Sequence, residues 1–117
     1  MLKGSTRLAK EQQAILQLLP LHVGCVDING RYIYWNAYSE KMFGYAEDEI
    51  VGHHGSEIIF PTKEVASHVR RTLEDRKIFS EEVSLRHRDG SVFPAQMFAI
   101  TFEAHKKRGV EYIKQIQ

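Results

Sequence analysis

The sequence predicts an α+β fold in which one antiparallel sheet of five strands carries short helices and one longer helix on one face. Two observations predict it. Two strand-like runs precede a helical block and three follow it, which is typical of an antiparallel sheet with helices packed against it. Asn29-Gly30 and Asp89-Gly90 supply the tight turns that antiparallel neighbours need. The 117 residues are enough for one domain with one core.

The first predicted element is an amphipathic helix over residues 6–19, which Pro20 ends. Its apolar residues fall on one helical stripe, including Leu8, Ile15, Leu16 and Leu19. We therefore divide the chain into a flanking helix, residues 1–19, and a domain, residues 20–117.

A hairpin is expected next, with strands over residues 22–26 and 31–35 joined by a two-residue turn at Asn29-Gly30. Strict alternation along the second strand would place Trp35 on the face opposite Tyr32 and Tyr34. A slip of one residue in any strand would reverse which side chains point inward.

A helical block follows the hairpin. Asn36 is positioned to cap a helix over residues 37–43, and Gly44 supplies the left-handed residue that ends it. Residues 53–60 are short and glycine-punctuated, which predicts a turn or two of irregular helix. The longer helix is predicted over residues 62–75, starting at a threonine cap.

Three strands complete the predicted sheet. Residues 79–87 alternate between apolar and polar side chains, as in a strand buried on one face. Residues 92–102 are largely apolar on both faces and need cover on both sides. A charged loop over residues 104–109 then leads to a last strand over residues 110–116.

Several motifs, in this order, resemble those of a PAS domain over residues 12–116. They are Asp27-x-x-Gly30-Arg31, Tyr34-Trp35-Asn36, Phe43-Gly44-Tyr45, Glu49-Ile50-x-Gly52 and Arg88-Asp89-Gly90-Ser91. The resemblance implies a sensory or interaction module whose five-stranded sheet and helices enclose a small cavity. It also implies an output domain, covalently linked but outside this fragment, which we expect to be a histidine kinase of a two-component system.

The resemblance places a ligand between the inner sheet face and the helices. We expect its cavity to be lined by Tyr45, Ile59, Val65, His68, Val69, Val83, Leu85 and Phe98. The chain itself is expected to be non-catalytic, because it has no nucleophile-elbow, phosphate-loop or zinc motif. A protein-interaction PAS domain with a filled core and no ligand is the alternative.

The identity of a cofactor stays open at this stage. Flavin adduct chemistry is not expected, because the helical segment that carries the reactive cysteine in light-sensing relatives reads His53-His54-Gly55-Ser56-Glu57 here. The heme-binding gas and redox sensors of the family offer an alternative, in which His68 matches their axial ligand. Against it, Glu81 stands where those sensors often have an arginine.

No metal site is expected, since the adjacent His53 and His54 diverge and lack a third ligand at a useful spacing. Cys25, the single cysteine, is interpreted as a small buried hydrophobe.

The composition limits the partners. A formal net charge of +1 gives no reason to expect a nucleic acid, and no apolar run approaches the length of a membrane span. We therefore expect a cytoplasmic protein. The resemblance implies a homodimer formed through the N-terminal helix and the outer face of the sheet.

Overall fold

A computed structural model describes residues 10–101 and 109–116. The elements in chain order are α1 (Lys10–Leu16), β1 (His22–Val26), β2 (Tyr32–Trp35), α2 (Ala37–Phe43), α3 (Glu47–Ile50), a 3₁₀ turn (Gly55–Glu57), α4 (Lys63–Arg76), β3 (Ile78–Arg86), β4 (Val92–Thr101) and β5 (Gly109–Gln115). The five strands form one antiparallel sheet in the order β2-β1-β5-β4-β3. The predicted fold class is confirmed. Residues 6–9 of the predicted first helix and most of the predicted charged loop lie outside the described residues.

The two faces of the sheet are covered differently. The inner face and the helices α2, α3 and α4 share one large apolar core, which includes Trp35, Phe43 and Ile50. The outer face carries a smaller cluster of Val23, Cys25 and Tyr34, and Leu16 and Leu19 pack against it. Cys25 is thus buried, as predicted. Helix α1 ends at Leu16, four residues before Pro20.

The hairpin turn is one residue longer than predicted. The Asp27 backbone N–H donates to the Arg31 carbonyl at 2.9 Å, so the connection comprises the three residues between them. The Asp27 carboxylate accepts from the N–H groups of Asn29 and Arg31 at 2.8 and 3.1 Å. Gly30 has a φ of 81°, the left-handed conformation that three-residue hairpins use.

Strand β2 contains a bulge, and the predicted alternation along it is wrong for that reason. Cys25 pairs with Tyr34 and Val26 pairs with Tyr32, which leaves Ile33 unpaired between them. The extra residue turns Tyr32 to the same side as Trp35, and each is 1% exposed in the inner core. Tyr34 alone of the two tyrosines faces outward.

The helix boundaries predicted from capping residues are confirmed. The Asn36 side chain accepts from the Ser39 N–H at the start of α2, and Gly44 ends that helix with a φ of 85°. Thr62 accepts from the Val65 N–H at the start of α4. Lys77 follows α4 with a φ of 67°.

The side chains of β4 that face the helices are on the side opposite to Phe98. Ala95, Met97 and Ala99 are all buried against the helices. Because side chains alternate along a strand, Phe98 points to the outer face, where its ring lies 6.3 Å from that of Tyr112 and 37% of the residue is exposed. The prediction that Phe98 lines an inner cavity is therefore wrong. Among the described helices, none has the length and apolar character needed to cross a membrane.

Candidate ligand cavity

A cavity of about 320 Å³ lies between the inner sheet face, the 3₁₀ turn and α4. Its volume falls at the lower end of the roughly 300–1,000 Å³ that is typical of small-molecule sites. One wall is the face of α4 that carries Ala66, Val69 and Leu73, residues spaced three and four apart. Met97 and Ala99 of β4 form part of the opposite wall. Most of the lining is therefore apolar.

The 3₁₀ turn approaches the sheet closely at this cavity. A Cβ added to Gly55 would lie 3.1 Å from the ring of Tyr32, which is tighter than ordinary contact. Only glycine lets the backbone come this near without moving the ring. Arg70, on the exposed side of α4, also lines the cavity and brings a positive charge to it.

The polar end of the cavity is formed by Glu111 on β5 and Tyr32 on β2. Glu111 is only 9% exposed, and its Oε1 lies 2.9 Å from Nε2 of His22, which is fully buried. The hydroxyl of Tyr32 donates to the same oxygen. Burial, and then the charge of Glu111, raise the pKa of Tyr32 well above its usual value, so the phenol keeps its proton and remains a donor.

Hydrogen bonds continue from His22 away from the cavity. Its Nδ1 lies 2.6 Å from the hydroxyl of Ser39, which lies 2.7 Å from Oδ1 of Asn36. The amide nitrogen of Asn36 donates to the carbonyl oxygens of Leu16 and Leu21 at 2.9 and 3.0 Å. A connected set of buried polar groups therefore runs from the cavity to the end of α1.

The eight residues predicted to line the cavity do not form one group. Val69 lines it. The fully buried Ile59 and Leu85 belong to the surrounding core, and Tyr45, Val65 and Val83 are partly buried against that core. Phe98 lies on the other face of the sheet, as described above.

His68 lies on the surface side of α4. Its side chain is 53% exposed, its Nε2 is 2.9 Å from Oε1 of Glu81, and its ring edge contacts Phe79. The residue is not part of the cavity lining. A ring nitrogen that pairs with a surface carboxylate does not fit the role of an axial heme ligand facing an apolar pocket.

The sequence-based prediction missed the polar end of the cavity. Strict alternation puts Tyr32 on the face opposite Trp35, because the strand's own sequence does not show the bulge, and the predicted cavity lining does not include Glu111. A signal for Glu111 does exist: it is the one carboxylate in β5 and lies between the apolar Val110 and the aromatic Tyr112. A buried carboxylate requires partners, which makes such a residue a candidate for a binding site. Within the described residues, no cluster of three or more side chains could hold a metal ion.

Comparison with known proteins agrees with this architecture. A family model described as "PAS domain" matches residues 20–116. The chain belongs to the PAS domain family. The resemblance inferred from its motifs is thereby confirmed, and with it the general role of the domain as a sensory signalling module. PAS domains are generally not catalytic themselves.

Solved PAS domains have the same fold. One, from Colwellia psychrerythraea, has a TM-score of 0.79 at 18% identity, over 92% of this chain and 95% of that chain. A PAS domain from a two-component sensor histidine kinase has a TM-score of 0.79 at 14% identity, over 92% and 95%. A third, a PAS domain in complex with ethanol from a LuxR-family regulator of Burkholderia thailandensis, has a TM-score of 0.76 at 11% identity, over 93% and 98%. No curated protein matches the chain by sequence.

Proposed function

We propose that this PAS domain is the input module of a signalling protein and that it binds a small, largely apolar molecule in the cavity of about 320 Å³. The observation that carries the proposal is the cavity itself. Its apolar walls on α4 and β4 end at a buried polar group, which is the composition expected of a site for a small molecule. A PAS domain of the same fold in complex with ethanol supports a ligand of this size class.

The output is proposed to be a histidine kinase linked to this domain. The structural similarity to a PAS domain from a two-component sensor histidine kinase supports it. The cytoplasmic location stays a prediction.

A cavity-filling substitution tests ligand binding. Ala66 lines the cavity on α4, so Ala66→Leu would occupy part of its volume. Ala37 is exposed at the start of α2, away from the cavity, so Ala37→Leu is the matched control. We expect benzyl alcohol to shift amide resonances around the cavity in a saturable titration followed by ¹H–¹⁵N NMR. The Ala66→Leu variant should weaken that binding, and Ala37→Leu should not.

Two results would contradict this proposal. One is that wild-type protein shows no saturable binding of any of four ring compounds: toluene, benzyl alcohol, benzylamine and benzoate. The other is that Ala66→Leu binds as tightly as wild type. Either would favour the ligand-free interaction domain.

We also propose that the domain forms a homodimer through the N-terminal helical segment and the outer face of the sheet. Ile15 and Leu18 are 62% and 84% exposed, although Leu16 on the same segment packs against the outer sheet face. A second copy would bury these apolar side chains. Ile15→Glu should lower the mass measured by light scattering, whereas Ile28→Glu, at a 57% exposed position in the hairpin turn, should leave it unchanged. A wild-type monomer, or equal masses for wild type and Ile15→Glu, would contradict the dimer.

A further inference from the structure

Glu111 presents a carboxylate at the cavity wall, and only one of its two oxygens has a partner among the described residues. Its Oε1 interacts with both Tyr32 and His22. From residues 10–101 and 109–116, no group donates to its Oε2. The residue is nine-tenths buried and lines the cavity. A buried carboxylate oxygen without a donor is costly, so this position favours a partner beyond the groups that the described residues supply.

The hydrogen bonds that lead to Glu111 indicate which groups donate and which accept. Oδ1 of Asn36 accepts from the N–H groups of Val23 and Ser39, so the Ser39 hydroxyl must donate its proton to that oxygen too. The hydroxyl oxygen therefore accepts from Nδ1–H of His22. The other ring nitrogen, Nε2, lies 2.9 Å from Oε1 of Glu111. Oε2 remains an acceptor in this arrangement.

The position of the carboxylate is fixed by close packing. A Cβ added to Gly24 would lie 2.8 Å from Nε2 of His22, 2.9 Å from the ring of Tyr32 and 3.0 Å from Oε1 of Glu111. The absence of a side chain on this residue of β1 leaves the space that the three groups occupy. The rings of Trp35 and Phe43 hold His22 edge-on, with centroids 5.0 and 5.2 Å away. The polar end of the cavity is thus a rigid, built feature.

We propose that Glu111 anchors the ligand, and that the cavity selects a small apolar molecule bearing an O–H or N–H donor over one bearing a carboxylate. This inference rests on the proposed function of the same cavity. A donor on the ligand would pair with Oε2, whereas a purely apolar ligand would leave that oxygen unpaired. A carboxylate would set acceptor against acceptor.

Arg70 is the residue that would favour the opposite ligand, one that carries a carboxylate. Arg70 also lines the cavity, and an arginine at the rim can pair with an anion, although its Nε lies 3.8 Å from Oε2 of Glu74. Arg70 is exposed, however, so water screens its attraction for a charged ligand. The buried Glu111 should therefore dominate the choice of ligand.

The four ring compounds named above test the anchor, because they differ only in the substituent that would face Glu111. With the wild-type domain, we expect benzyl alcohol and benzylamine to bind about tenfold more tightly than toluene, the difference expected for one hydrogen bond to a buried acceptor. Benzoate should bind most weakly. Dissociation constants come from NMR titration or calorimetry.

Two variants test whether Glu111 causes the preference for a ligand with a hydrogen-bond donor. Glu111→Gln keeps the size of the side chain but adds donors, so the advantage of benzyl alcohol over benzoate should shrink. Arg71→Gln, an exposed position of α4 outside the cavity lining, should leave the ratio of the dissociation constants for benzyl alcohol and toluene unchanged. If Glu111→Gln does not fold, the wild-type series still decides, because it needs no variant.

The possible binding results distinguish the anchoring role of Glu111 from ligand binding by the cavity. Binding of all four compounds with equal affinity would overturn the anchor and leave the cavity proposal standing. Tightest binding of benzoate would also overturn the anchor and would assign the selectivity to Arg70. Absence of binding for all four would overturn the cavity proposal and the anchor together.

Discussion

Replacing Asn36 by alanine should be among the most damaging single changes in this domain. The side chain is fully buried and joins three parts of the structure. It caps α2, accepts from the N–H of Val23 in β1 at 3.0 Å, and donates to the carbonyl oxygens of Leu16 and Leu21 before that strand. Alanine removes all of these hydrogen bonds at once.

The expected loss can be worked from those bonds. The loss of a helix cap costs about 1 kcal/mol of the free energy of unfolding. The Val23 N–H then remains buried without a partner, which adds about 2 kcal/mol, and the partly exposed Leu21 carbonyl adds about 1 kcal/mol or less. The sum is about 3–4 kcal/mol, which corresponds to a decrease of roughly 10–15 °C in Tm for a domain of this size.

Thermal and urea unfolding, followed by the fluorescence of Trp35, measure the loss. Trp35 is the only tryptophan and is 1% exposed, so its emission reports the loss of the core. Thr62→Ala is the matched control, because Thr62 is an exposed cap with a bond of 3.2 Å to the Val65 N–H. It should cost about 1 kcal/mol. If Asn36→Ala costs no more than Thr62→Ala, the reasoning about buried partners is wrong.

Three further predictions concern the turns, the strand faces and pH. Gly44→Ala should destabilise the domain more than Gly90→Ala in urea unfolding. Both glycines have positive φ, but only at Gly44 would the added Cβ clash, 2.7 Å from a histidine ring. Equal losses of unfolding free energy would contradict this. Leu85→Ala should lower the free energy of unfolding by about 3 kcal/mol, since the side chain is fully buried. Phe98→Ala on the outer face should lower it clearly less. The reverse order would contradict the placement of Phe98 outside the core. The pKa of Glu49 is lowered, first by the backbone N–H that its carboxylate accepts and then by a neighbouring arginine. A carboxyl with a lowered pKa stabilises the fold above its unfolded value of about 4.3 and loses that effect as pH falls through the folded value. The stability difference between wild type and Glu49→Gln should therefore be present at neutral pH and vanish in acid; a pH-independent difference would contradict it.

Local features of the fold were predictable from the sequence because their causes are local. As helix caps, Asn36, Gly44 and Thr62 contact residues within four positions along the chain, and these capping roles follow from residue type alone. The predicted strands likewise agree with the observed ones to within about a residue.

The cavity could not be predicted in the same way. Its polar end depends on Glu111 meeting His22 and Tyr32, which are 89 and 79 residues away in the chain. The bulge at Ile33 that turns Tyr32 inward is a property of strand pairing and not of the strand's own sequence. The prediction for Phe98 is wrong because β4 is apolar on both faces, so its sequence pattern does not identify the inner face.

Intermolecular NOEs between bound benzyl alcohol and the domain test the central claim most directly. If the ligand occupies the cavity, its ring protons should show NOEs to the methyl groups of Val69, Leu73 and Met97, which line the walls. Saturable binding with NOEs only to outer-face residues such as Val23, or no saturable binding, would contradict a ligand-sensing cavity in this domain.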